Sequence, residues 1–95
     1  MTQQYLAGEF SLLLAQLLDV VSDPSSARAL ARLRREVETS PPAALAAELT
    51  RTFEVTDELC LDSLTRGDTT AFDSQAAIVA RLREFGVCAG LVDEP

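Results

Sequence analysis

Apolar side chains return every three or four residues in four stretches of this chain, and a proline or glycine signal closes the first three and the last alike. That spacing matches the roughly 3.6-residue turn of an α-helix, so each stretch carries an apolar stripe that must be buried against the others. The first helix is expected from about Gln4 to Val21, with Leu6, Phe10, Leu13, Leu14, Leu17, Val20 and Val21 on one side. Ser22-Asp23-Pro24 then offers a capping side chain and a proline pre-shaped for a first helical turn. The second helix follows from Pro24 to Glu38 on Ala27, Leu30, Leu33 and Val37.

Ser40-Pro41-Pro42 repeats the start signal. The third helix is expected over Pro41 to Arg66, with Leu45, Leu49, Phe53, Thr56, Cys60 and Leu64 inward and Ala46, Thr52, Leu59 and Ser63 beside them. Gly67 is placed to end it in a left-handed conformation. Asp68 caps the fourth, Thr69 to Phe85, through Phe72, Ala76, Val79 and Leu82, with Ile78 and Phe85 broadening its face and Gly86 ending it. The apolar segment from Val87 to Val92 is expected to pack back on the rest. Four amphipathic helices joined by short connections imply an all-α fold. The expectation is a single domain over residues 1–95, a small antiparallel four-helix bundle running up-down-up-down.

A chain of 95 residues, 47% hydrophobic, can fill one modest core without a disulfide or metal. Fifteen acidic residues face eight basic ones, for a net charge of −7, and every basic residue is arginine. Such a surplus repels phosphate backbones and anionic lipid, so neither nucleic acid nor membrane is an expected partner. Cys60 and Cys88 form no CxxC and the chain has no histidine, so no metal site is expected. Both are expected as reduced thiols. With no basic residue ahead of the first apolar run and Glu9 interrupting its approach, no export signal is read and a cytoplasmic protein is expected.

The same inventory argues against catalysis. The usual neutral-pH acid–base residue is missing, and no phosphate-binding loop, nucleophile elbow or dinucleotide glycine pattern occurs. Neither enzyme activity nor a cofactor is expected. Glu54, Glu58 and Asp62, with Asp57 nearby, read as a solvated outer face of the third helix.

Two surface features point to binding. Arg28, Arg32 and Arg35 align at i, i+4 and i+7 on the far side of the second helix. They either pair with nearby carboxylates such as Glu36 and Glu38 or form a strip for an acidic partner, including a second copy. Tyr5 and Leu12 project from the polar side of the first helix, and Leu61 does so on the third. If those faces are neighbours, the three make an interface patch that a symmetric dimer would bury.

Asp62-Ser63-Leu64 resembles the Asp-Ser-Leu that carries the phosphopantetheine arm of acyl carrier proteins, which are also small, acidic, four-helix domains. In that family the serine opens a helix after a long loop, usually behind a glycine. Here Ser63 closes a helix and Leu61 holds the glycine's place. The resemblance implies, as an alternative function, an acyl-carrier-like protein modified at Ser63. The leading expectation is a noncatalytic helical protein–protein interaction module, regulatory or accessory, that binds another protein or itself.

Overall fold

A computed structural model describes residues 3–21 and 23–91, the side chains of residues 3–5 and 42 excepted. It contains α1 (Gln3–Asp19), α2 (Pro24–Thr39), a 3-10 turn (Pro42–Ala44), α3 (Leu45–Thr65) and α4 (Thr69–Cys88). No strand occurs among the described residues.

Local chemistry sets the helix limits. Asp23 caps α2: its Oδ2 accepts hydrogen bonds from the Ser26 amide and hydroxyl, both at 2.9 Å, and these hold its carboxyl below the ordinary value. Asp68 caps α4 by accepting the Ala71 amide at 3.1 Å. α3 begins at Leu45 rather than Pro41. Ser40 and Pro41 both precede a proline, which disfavours helical backbone, and Ser40 is extended (ψ 148°).

Two glycines stop helices in the same way. At φ +75° Gly67 lets its own amide reach the Leu64 carbonyl at 3.0 Å and the Asp68 amide reach that of Ser63 at 2.9 Å. Gly90, at φ +73°, repeats the pair with bonds from Gly90 to Val87 and from Leu91 to Gly86. Both are Schellman closures. The sequence expectation that Gly86 ends α4 is therefore corrected: the helix runs through a buried Gly86 to Cys88. Leu91, brought back by Gly90, packs against the core and offsets the roughly 1 kcal/mol a mid-helix glycine costs.

α1 packs on α2, α2 on α3, α3 on α4 and α4 on α1, which closes an antiparallel four-helix bundle with a radius of gyration of 12.9 Å. Phe10, Leu14, Leu17, Leu30, Val37, Leu49 and Leu82 are fully buried, each such side chain stabilising by about 1.5–3 kcal/mol. Phe10 of α1 and Phe85 of α4 meet with ring centroids 5.6 Å apart and planes tilted by 59°.

The inner faces of α3 and α4 differ from expectation. On α3 the buried line is Leu45, Leu49, Thr52, Thr56, Leu59 and Ser63, while Cys60 and Phe53 are half-buried and Leu64 is 49% exposed. The buried line keeps the roughly 3.6-residue helical turn along its whole length, whereas Phe53, Cys60 and Leu64 lie about 60–100° around the helix to one side of it. On α4 the buried positions are Gln75, Ile78, Leu82 and Gly86, with Phe72, Ala76 and Val79 half-buried.

Candidate interaction surface

α2 turns Leu30, Leu33 and Val37 into the core, which carries Arg28, Arg32 and Arg35 onto its exposed outer side. The carboxylates that the sequence offered as their partners are engaged elsewhere. Glu36 accepts Arg51 of α3 at 2.9 Å. Glu38 takes part in a seam between α1 and α2: it accepts the Ser11 hydroxyl at 2.8 Å, Ser11 accepts Arg34 Nε at 3.1 Å, and Arg34 lies 3.7 Å from Glu38. Among the described residues, Arg28, Arg32 and Arg35 make no ion pair.

Beside this strip runs the seam between α2 and α3. Ala29, Leu33 and Val55 line its apolar part, Arg32 and Glu36 its α2 side, and Arg51 and Glu54 its α3 side. Glu54 and Glu58 are exposed on α3 and likewise make no ion pair among the described residues. Asp62 is bound by Arg66 at 3.0 Å one turn along the same helix.

Glu48 is the one acidic residue drawn into this seam that sequence reasoning missed. It is only 6% exposed, with Oε1 3.8 Å from Arg51 and Oε2 without a hydrogen-bond partner. Burial pushes its carboxyl above the ordinary value; Arg51 opposes that and Glu36 adds to it. Its signal in the sequence was position alone, one turn after the Leu45 that opens the buried line.

The off-face apolar residues do not form one patch. Leu12 is 53% exposed and Leu61 65% exposed, yet α1 and α3 stand diagonally across the bundle, so their outer faces point away from each other. Leu12 instead lies beside Gly8, Ser11, Arg34 and Glu38 at the α1–α2 seam. Leu61 shares the outside of α3 with Leu64, which is also exposed. The side chain of Tyr5 lies outside the described residues.

Ser63 is fully buried. Its hydroxyl donates to Gln75 Oε1 at 2.9 Å, and Gln75 Nε2 donates to the Val20 carbonyl at 3.1 Å. A serine that carries a prosthetic arm must present its oxygen to a modifying enzyme; this one spends it on tying α3 to α4 and to the end of α1.

Among the described residues no three His, Cys, Asp or Glu side chains are grouped to hold a metal ion, and no helix is long and apolar enough to cross a membrane. The chain matches no family model, no curated protein and no solved structure.

Proposed function

We propose that this bundle is a noncatalytic interaction module that docks an acidic protein surface on the outer face of α2. The observation that carries the reading is the state of Arg28, Arg32 and Arg35. They stand exposed and without ion pairs in a chain of net charge −7, while the nearby Glu36 and Glu38 are occupied by Arg51 and by Ser11 with Arg34. Three guanidinium groups along one exposed helix face recognise carboxylates in a planar, paired geometry that lysine lacks. An interior packed mainly with Leu side chains, its buried Ser63 and Gln75 bonded to each other, supports a role played on the surface, as does the lack of histidine. A regulatory or accessory role in the cytoplasm goes with this reading, supported by two free thiols, Cys60 and Cys88.

The test is retention of the chain, loaded at a concentration where it is monomeric, on immobilised polyglutamate at low ionic strength. Wild type is expected to be held and released by salt, and the R28A/R32A/R35A variant to pass through. Equal retention of the two proteins, with circular dichroism showing both folded, would remove the reading.

A further inference from the structure

Arg28, Arg32 and Arg35 have a counterpart on the neighbouring helix of the same chain. Glu54, Glu58 and Leu61 follow the same i, i+4, i+7 spacing on the outer side of α3, and all three are exposed. The two strips also overlap in height, the α3 strip standing about 3–4.5 Å further along, a stagger that an arginine side chain spans. Because α2 and α3 are antiparallel neighbours held in register by Arg51–Glu36, each strip rises towards the end where Asp23 of α2 and Asp62 of α3 meet. Both cover about 10.5 Å of helix, with Arg35 and Glu54 at the lower end and Arg28 and Leu61 at the upper.

We infer that the surface recognised by the α2 face is the α3 face of a second copy, in a symmetric dimer; this rests on the reading of α2 as a docking face. A twofold axis parallel to the bundle and passing in front of the α2–α3 seam preserves height while exchanging the helices. It therefore sets Arg35 opposite the partner's Glu54, Arg32 opposite the partner's Glu58, and Arg28 over the partner's Leu61, and it repeats all three contacts on the other side. A closed dimer needs a surface complementary to itself, and one basic and one acidic strip that overlap in height on adjacent helices meet that need. Leu61, 65% exposed in the single chain, is covered by the aliphatic stem of Arg28.

The overall charge of −7 per chain opposes association. That repulsion acts over the whole surface and is screened beyond about 8 Å at physiological ionic strength, whereas the facing strips meet at contact distance. Salt therefore first relieves the long-range repulsion and weakens the dimer only when it screens the facing strips themselves, and specificity lies in which charges face each other.

Sedimentation equilibrium of the full chain tests this with a charge exchange. Wild type is expected to dimerise. R32E and E58R should each weaken self-association by at least ~10-fold, because each sets like charges opposite one another twice. An equimolar mixture of the two variants should recover the dimer, since R32E chains then face E58R chains with opposite charges at both contacts. Matching circular dichroism melts keep a folding defect from imitating the result. A wild type that stays monomeric at every concentration, or a mixture no better associated than its components, overturns the dimer. If that monomer is still retained on polyglutamate through α2, only the choice of partner fails; if it is not, the docking face fails with it.

Discussion

Ser63 of α3 and Gln75 of α4 form a buried hydrogen bond of 2.9 Å, and Gln75 passes the connection on to the Val20 carbonyl at the end of α1. Three of the four helices thus meet through one glutamine side chain at the end of the bundle where α1 and α3 finish and α4 begins. Burying an amide and a hydroxyl is tolerated because each finds a partner; in return the link sets the rotation of α3 and α4 about their own axes.

Removing both ends of this link should cost less than the two single removals added together. Ser63→Ala leaves Gln75 Oε1 buried without a donor, and Gln75→Leu strands the Ser63 hydroxyl. Each is expected to lose about 1–3 kcal/mol, a drop of roughly 4–8 °C in Tm per kcal/mol for a domain this small. The double variant S63A/Q75L should be less destabilised than the sum of the two. Thermal melts of the four proteins close the cycle, and additive losses would show that the hydrogen bond does not couple the helices.

The same link explains where the sequence was legible and where it was not. The cores of α1 and α2 read correctly because Phe10, Leu13, Leu14, Leu17, Leu30, Leu33 and Val37 recur at helical spacing, and hydropathy locates such a face. α3 and α4 read only in part, because Thr52, Ser63 and Gln75 take the centre of the inside while Leu64 stays outside and Phe53 and Cys60 only half-buried. Threonine hides its polarity by bonding back along its own helix, as Thr52 does to the Glu48 carbonyl at 2.8 Å. Gln75 hides its own only through partners twelve and more residues away, which no local pattern reveals. The arginine strip was visible from spacing alone, but its lack of partners was not, since that depended on Arg51 reaching across to Glu36.

Glu48 should make the bundle lose stability as pH rises. Its folded-state carboxyl is held above its ordinary value of 4.5, first by burial and then by Glu36 across the seam, against the pull of Arg51. The start of α3, where Glu48 lies in the first turn, also favours the charged form without reversing the direction. The folded chain therefore binds the proton more tightly than the unfolded one. Its contribution is fully present below pH 4.5 and is lost as pH rises through the folded-state pKa. Glu48→Gln removes that loss, so its Tm relative to wild type should increase between about pH 4 and pH 7. A constant difference across that range would mean that the carboxyl titrates normally.

Two glycines should answer alanine in opposite ways. Gly67 sits at φ +75°, where a Cβ meets the backbone, so Gly67→Ala is expected to cost about 1–2 kcal/mol despite open space around it. Gly8 lies within α1 with open space where a side chain would stand, so Gly8→Ala should stabilise by about 0.5–1 kcal/mol. Urea unfolding of both variants measures the two signs in one experiment, and a stabilised Gly67→Ala would refute the left-handed closure of α3.

Cys60 and Cys88 should remain separate thiols in the folded chain and differ in reactivity. Cys60 lies a little over one turn from the end of α3, and Cys88 is the last residue of α4, which runs back the other way. Their separation along the bundle is therefore on the order of 20 Å, far beyond the roughly 7 Å between Cα atoms that a disulfide can bridge. The two thiols also face different surroundings: Cys88 is exposed, whereas burial, and secondarily Asp57, pushes the half-buried Cys60 thiol up. Because the thiolate is the reactive form, a thiol-specific reagent near neutral pH should modify Cys88 quickly and Cys60 slowly. Cys88→Ser should delete the fast phase and leave the slow one. Mass spectrometry after mild oxidation should find no loss of two hydrogens in the monomer, and an intramolecular disulfide formed without unfolding would contradict the antiparallel placement of α3 and α4.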